Sequence, residues 1–361
     1  MKRLFVMAAA ALLAAACIFP LTADAVSARK AILLDGTTGR VLYEKDADSK
    51  SLIASTTKIM TALVVCEQCN VLDRMRIPKE AVGIEGSSMY LQEGEILTIQ
   101  ELLYGMMLHS GNDAATALAI YCGGTVEGFA GLMNDKAREL GMHGTHFVNP
   151  HGLDAPNHYS TAKDLAVLAA YALENPLFAM TVSTKSVKAG HRQLTNHNKL
   201  LWRVEGANGV KTGFTKAAGR ILVSGARRLG RQLVCVTIDA PDDWNDHGTL
   251  LEQGFSEYHL STLIREGQIL GQVEVLGGTQ AYVELIAAED FLYPLAVSEK
   301  ISLAMPGIGF AYAPAVEDED AGKAHILIDG KAVGTVDVRY RSTVERQEDQ
   351  KKNIWQRLLG Q

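Results

Sequence analysis

Residues 209–236 read GVKTGFTKAAGRILVSGARRLGRQLVCV. Three apolar runs stand in this stretch, Gly209-Val210-Lys211, Ile221-Leu222-Val223 and Leu233-Val234-Cys235-Val236, joined by short turns that carry glycine. Short β-branched runs linked in this way predict an antiparallel meander. Working outward, residues 30–35 (KAILLD) and 39–43 (GRVLY) form two more strand-like runs around Gly36-Thr37-Thr38, a hairpin signature. Between the two β regions, residues 55–180 keep helical periodicity: Ile59, Leu63 and Cys66 on one face, Leu102, Leu103, Met106 and Met107 on another, Leu165, Leu168, Ala169 and Ala172 on a third. Strands at both ends with helices between predict an α+β fold, an antiparallel sheet covered by helices.

The flanks read differently. Lys2 and Arg3 precede an apolar run from Leu4 to Leu21 and then Ala23-Asp24-Ala25, the parts of a cleaved secretory signal over 1–25. An uncleaved membrane helix is the alternative, and Ala14 disfavours Cys17 as a lipoprotein cysteine. The catalytic-size block is expected over 26–262. Past it, Gly267, Gly271, Gly277, Gly278, Gly330 and Gly334 punctuate short alternating runs, which predicts a small all-β domain over 263–340. In the tail, 341–361, Ile354, Trp355, Leu358 and Leu359 share one helical face flanked by Lys351, Lys352 and Arg357. Residues 350–361 thus suit an anionic membrane surface, with packing on the protein itself as the alternative. The 361-residue chain is 47% hydrophobic with a net charge of −6, which gives no electrostatic reason to bind nucleic acid.

Two features suggest metal or redox chemistry and are read as structural. Cys66-Glu67-Gln68-Cys69 has no second C-x-x-C to complete a zinc site and sits in helical sequence. His143, His146, His151 and His158 fall in loop-like sequence beside Pro150 and Gly152 rather than at converging positions. No metal and no cofactor are expected.

Three motifs, taken together and in order, carry chemistry. Ser55-Thr56-Thr57-Lys58 opens the first long helix, Ser110-Gly111-Asn112 precedes another, and Lys211-Thr212-Gly213 lies on an expected strand. Positions i and i+3 of a helix are neighbours, so Lys58 can take the proton of the Ser55 hydroxyl. A lysine is a base near neutrality only when its pKa falls, through burial and a second cation such as Lys211. The Ser55 and Phe214 N–H groups suit an oxyanion, Ser110 a proton transfer to the leaving group, and Asn112 a substrate amide. Thr212 suits a carboxylate, and Gly213 lets a substrate backbone lie against the strand.

These motifs and their surroundings resemble the low-molecular-mass penicillin-binding D-alanyl-D-alanine carboxypeptidases. The resemblance runs through Ala54–Leu63, Ser110–Ala115, Asn149-Pro150-His151-Gly152-Leu153-Asp154 and Gly209–Thr215. It implies Ser55 as acylated nucleophile, Lys58 as base, Ser110 and Asn112 as a second wall, and Lys211, Thr212 and Gly213 as a third. The implied substrate is a peptidoglycan stem peptide ending in D-Ala-D-Ala, with β-lactams as covalent inhibitors. The implied location is extracytoplasmic, peripheral on the outer face of the cytoplasmic membrane. Some relatives place an arginine upstream of K-T-G for the substrate carboxylate, where this chain offers His197 and Lys199. If both motif helices start at the active site, Cys66 lies 11 residues past Ser55 and Cys122 lies 12 past Ser110. At 1.5 Å per residue these are level, at roughly 16 and 18 Å, so Cys122 can pair with Cys66 or Cys69.

Two other classes share part of this pattern. A class A β-lactamase needs a glutamate to activate the deacylating water, and Val148-Asn149-Pro150-His151 offers none where one is expected. A catalytically silent wall-binding protein would not need Ser55, Lys58, Ser110 and Lys211 intact.

Overall fold

The computed structural model describes residues 26–347. The signal segment 1–25 and the amphipathic residues 350–361 lie outside the described residues. The chain divides between Ser256 and Glu257 into two compact units. A boundary at 262 would cut the strand Tyr258–Ile264, which pairs with Phe291–Ala296 inside the second unit. That unit also runs past 340, because Val344 is fully buried in its core and pairs with Ala315.

The first unit holds nine strands: β1 (Lys30–Asp35), β2 (Val41–Lys45), β3 (Arg74–Arg76), β4 (Ile96–Thr98), β5 (Ser186–Ala189), β6 (Arg192–Thr195), β7 (Ala207–Thr215), β8 (Gly219–Arg228) and β9 (Arg231–Ile238). Five make the main sheet in the order β2-β1-β9-β8-β7, every pair antiparallel. The β3–β4 and β5–β6 pairs are separate hairpin-like ribbons. The helices are α1 (Lys58–Gln68), α2 (Ile99–Leu108), α3 (Asn112–Gly123), α4 (Val126–Glu139), α5 (Ala162–Glu174), α6 (Pro176–Ser183), α7 (Leu200–Arg203) and α8 (Asp243–Glu257).

The apolar runs are continuous because the sheet is covered on both faces. Alternate residues serve opposite cores: Ile32, Leu34, Val234 and Val236 join the large cluster under α1–α5, while Ala31, Leu33, Leu233 and Cys235 meet Leu250 and Leu251 of α8. The Gly36-Thr37-Thr38 hairpin is closed by buried Asp35, whose carboxylate accepts from the Thr37 and Thr38 N–H groups and from Arg231 Nε at 2.6 Å. Helix starts follow ordinary capping chemistry, as in the reciprocal Thr98–Glu101 box of α2 and the Asn175 cap with Pro176 of α6.

The second unit is all β. Eight strands form the Tyr258–Ile264/Phe291–Ala296 pair and a six-stranded sheet. Val273, Val275, Val283, Leu285 and Val338 alternate inward to make its core.

Candidate active site

Ser55 lies in a 3₁₀ turn, Ala54–Thr57, and α1 begins only at Lys58. The sequence expectation of Ser55 opening the long helix is corrected by this turn. Ala54 sits at φ +44°, a left-handed conformation that costs a non-glycine residue and marks a locally over-determined backbone. The i, i+3 approach survives: Lys58 Nζ is 3.0 Å from Ser55 Oγ.

Two further acceptors orient that amine. Lys58 Nζ donates to Asn112 Oδ1 and to the His151 carbonyl, each at 2.7 Å. Both are acceptor-only oxygens, so a neutral amine spends its two N–H bonds on them and turns its lone pair toward the Ser55 hydroxyl. Lys58 has no exposed surface, and its pKa is held well below the ordinary lysine value. Burial is the main cause, the Lys211 charge adds to it, and Asp113 opposes it.

The His151 carbonyl is placed by a turn built on Asn149. Its Oδ1 accepts from the Gly152 N–H at 2.7 Å and the His151 N–H at 3.3 Å, and its Nδ2 donates to the Leu153 carbonyl. Thr61 Oγ1 donates to the Pro150 carbonyl at 2.6 Å, tying the turn to α1. Gly152 adopts φ +88°, and a Cβ there would lie 1.8 Å from the Ala54 carbonyl oxygen. His158 accepts at Nδ1 from the Val148 N–H, so its proton is on Nε2, which donates to Thr57 Oγ1 at 2.8 Å. Burial, then the charge of His146, lowers its pKa to about 4.

Asn112 opens α3 under Ser110, whose own φ is +63°. Its Oδ1 accepts from Lys58, and one of its two Nδ2 N–H bonds goes to the Glu85 carbonyl at 2.5 Å. Asn112 thus also orients the base, beside the substrate-amide contact expected from the sequence. Next to it, buried Asp113 accepts from the Met89 and Leu91 N–H groups and Ser88 Oγ, which pins the 87–91 loop beside the cleft.

The third motif is on the edge strand β7. Lys211 is buried, its Nζ donates to the Thr212 carbonyl at 2.9 Å, and burial lowers its pKa to about 7. A Cβ on Gly213 would stand 3.3 Å from the Ser55 nitrogen, which shows how closely the strand passes the nucleophile. A cleft of about 380 Å³ opens here, lined by Ser55, Ser110, Thr212, Gly213 and Phe214 together with Ser87, His197 and Lys199. Burial, Lys211 and His109 all push His197 toward its neutral form, and the His109 ring stacks on it at 5.2 Å.

The same cleft is lined by Arg220, Ile221, Asp243 and Trp244, none of which the motifs indicate. Arg220 follows the β7–β8 turn and pairs in register with Phe214, so counting the hairpin outward from K-T-G would have found it. The His151 carbonyl left no such signal, since a backbone acceptor has no residue identity. The four clustered histidines do not converge: His158 serves Thr57, while His146 Nδ1 is 2.7 Å from the Asn157 carbonyl and His151 Nδ1 accepts from the Leu153 N–H. Among the described residues no group of three or more His, Cys, Asp or Glu side chains is placed to hold a metal ion. Cys66, Cys69, Cys122 and Cys235 are free thiols; Cys122 Sγ donates to Gln68 Oε1 at 3.8 Å, and Cys69 and Cys122 act on each other's ionisation, Cys69 raised and Cys122 lowered.

Residues 19–242 match the D-alanyl-D-alanine carboxypeptidase family, peptidase S11, and residues 258–346 match the C-terminal domain of penicillin-binding protein 5. The carboxypeptidase DacF of Bacillus subtilis is 35% identical over 277 residues, covering 73% of this chain and 71% of the relative. DacC of Escherichia coli is 36% identical over 283 residues, covering 74% and 71%. The crystal structure of penicillin-binding protein 5 from Haemophilus influenzae superposes with a TM-score of 0.76 at 27% identity, covering 91% of this chain and all of that one. Motif order, the Lys58–Ser55 approach and matches spanning both units agree: the chain belongs to the D-alanyl-D-alanine carboxypeptidase family.

Proposed function

We propose that this chain hydrolyses the terminal D-Ala from peptidoglycan stem peptides ending in D-Ala-D-Ala, outside the cytoplasm, through an acyl-enzyme on Ser55. The observation that carries the reading is the buried Lys58 amine, with two N–H bonds spent on carbonyl oxygens and its third direction on Ser55 Oγ. Lys58 takes the Ser55 proton as Oγ attacks the carbonyl carbon of the penultimate D-Ala. The Ser55 and Phe214 N–H groups receive the oxyanion, and burial, with the Lys211 charge adding to it, favours the unprotonated Lys58. As the C–N bond breaks, the proton on Lys58 passes through the Ser110 hydroxyl to the departing D-Ala amine. Water, losing its proton to Lys58, then cleaves the ester and frees Ser55.

Asp243 is the only carboxylate among the residues lining the cleft, and it is bonded to Arg220. Among the described residues no free carboxylate lines the cleft beside Ser55 to activate water, so a β-lactam acyl-enzyme is expected to persist. The signal segment supports export, and residues 350–361 support a peripheral place on the membrane. Incubation with benzylpenicillin is expected to add one penicilloyl group, mapped by peptide mass to the peptide that contains Ser55. A synthetic acyl-L-Lys-D-Ala-D-Ala is expected to release D-Ala. An adduct elsewhere, or none, sinks the acyl-serine assignment; an adduct without D-Ala release leaves a β-lactam binder.

The proximity of the two thiols supports a disulfide between Cys69 and Cys122, the second member of the Cys66/Cys69 alternative. The neighbouring Cys69 thiol lowers the Cys122 thiol and makes it the readier nucleophile. Burial, with Glu67 beside it, pushes Cys66 up to about 12. Cys122 thiolate attacks a small disulfide such as oxidised glutathione, releasing one thiol, and Cys69 then displaces the second. Alkylation of the oxidised protein without its signal segment, under denaturing conditions, is expected to label Cys66 and Cys235 before reduction and Cys66, Cys69, Cys122 and Cys235 after. Four labelled before reduction removes the bridge.

A further inference from the structure

The acyl half of the substrate leaves the cleft in a direction set by β7. Thr212, which suits the terminal carboxylate, precedes Phe214, the expected oxyanion donor. The peptide's C-terminus therefore points back along β7 and its acyl side forward. Forward of Phe214 the strand ends at Thr215 and turns through Lys216-Ala217-Ala218 into β8. Ala217 and Ala218 line a second cavity, of about 240 Å³, together with Arg29, Lys50, Ser51 and Asp239. No residue of the three motifs lines it. Ser51 lies four residues before Ser55, a stretch of chain that spans at most about 14 Å.

Lys30, which also lines the cavity, builds its wall. Its Nζ donates to the Ser49 and Lys50 carbonyls at 3.1 Å and to Ser51 Oγ at 2.7 Å. An ammonium has three N–H bonds, so Lys30 has none left for a ligand and serves to peg the 49–51 segment. A reciprocal backbone pair between Ser51 and Ser160 fixes the same segment. Lys50 is thereby held in place, with its ammonium 4.3 Å from the centre of the Tyr159 ring. A ring face attracts the charge without consuming a directed N–H bond. Arg29 is anchored through its backbone, whose N–H donates to the Asp239 carbonyl at 3.0 Å. Among the described residues neither the exposed Arg29 side chain nor the Lys50 ammonium makes an ion pair or a hydrogen bond, and Asp239 is the one carboxylate lining the cavity. Two cations with unspent donors beside one acceptor suit a carboxylate that carries an amide N–H next to it: the cations pair with the first, and Asp239 accepts from the second.

We infer that this cavity binds the free α-carboxylate of a γ-linked glutamyl residue in the stem peptide, two residues on the acyl side of the penultimate D-Ala. Such a residue joins the chain through its side chain, which leaves its α-carboxylate and its own amide N–H together as a branch. In an extended peptide its α-carbon stands about 10 Å from that of the penultimate D-Ala, the reach of the three residues from Phe214 to Ala217. The inference rests on the carboxypeptidase reading above and carries substrate selection beyond the D-Ala-D-Ala end.

The test compares acetyl-L-Ala-γ-D-Glu-L-Lys-D-Ala-D-Ala, with its glutamyl α-carboxylate free, and the same peptide with that group as the α-amide. D-Ala release gives kcat/KM for each, and the acid-to-amide ratio is the readout. The wild-type ratio is expected to be about ten at low salt, expressed mostly in KM, because the contact is made equally before and in the transition state. Raising the salt to about 0.5 M is expected to shrink it, since both cations are solvent-exposed. In the double variant Arg29→Gln/Lys50→Gln the ratio is expected to fall to within about twofold of one. Lys216→Gln removes an exposed cation of the same turn that does not line the cavity, and is expected to keep the wild-type ratio. A wild-type ratio near one overturns the inference without any variant. So does a double variant that keeps the wild-type ratio, or an equal fall with Lys216→Gln, which would mean a diffuse field rather than a site. Wild-type enzyme that releases D-Ala from neither peptide instead sinks the carboxypeptidase reading itself.

Discussion

Lys58→Met is expected to slow acylation of Ser55 by benzylpenicillin about 1,000-fold, the middle of the range that a positioned general base supplies. Methionine fills most of the lysine volume without an amine, and the site is fully buried, so packing is largely kept. Two oxygens lose their donor, Asn112 Oδ1 and the His151 carbonyl, at about 1–3 kcal/mol each. Part of that is offset because the variant no longer buries an amine whose charged form is penalised. Thermal unfolding therefore moves down modestly while the acylation rate collapses. Lys58→Arg separates the roles of base and cation: it restores a charge but not a proton acceptor, since guanidinium does not titrate in this range. Stopped-flow acylation of both variants decides the matter. An arginine variant within tenfold of wild type would show that Lys58 acts as a charge, and the base assignment would fall.

The residues of the proposed proton transfer are legible in the sequence because their relations are local. Ser55 and Lys58 lie one turn apart, and Lys211-Thr212-Gly213 sits in a run whose β-branched neighbours and glycine turns already read as a meander. The antiparallel sheet followed from the same runs, since strands buried on both faces need apolar residues at every position. What was hidden depends on contacts distant in sequence. The second acceptor of Lys58 comes from a loop 93 residues away. Asn112 reads as a substrate contact because its side chain suits one, and only the folded loop shows that the same amide also reaches Lys58 and Glu85. Ser55 was expected in regular helix, whereas the left-handed Ala54 forces a tighter turn before α1. The edges of the second unit were misplaced by a few residues at each end. Alternation in Tyr258–Ile264 is weak, its burial running intermediate and exposed until Ile264, and Val344 is a lone apolar residue in polar sequence.

Gly152→Ala is expected to cost the enzyme both stability and rate, although Gly152 touches no substrate. The new methyl would meet the Ala54 carbonyl oxygen at 1.8 Å, its carbon at 2.5 Å and Thr57 Oγ1 at 2.7 Å. Two of these atoms are backbone, so no rotamer change relieves the collision. Either the Asn149–Leu153 turn backs away, taking the His151 carbonyl off Lys58, or Ala54 moves and carries Ser55 with it. Both displace the reacting groups, and a shift of about 1 Å at such a site costs about 100-fold. The backbone adds its own penalty, because alanine at φ +88° is strained, and overpacking of this kind runs to about 1–3 kcal/mol. Gly141→Ala is the matched control: it also has a positive φ, +69°, but nothing lies within 4 Å of its added Cβ. It is expected to lower the unfolding midpoint slightly and leave acylation unchanged. The difference between the two variants isolates the contact from the backbone strain. If Gly152→Ala acylates at the wild-type rate, the His151 carbonyl is not what orients Lys58, and the lone-pair argument at Ser55 loses its support.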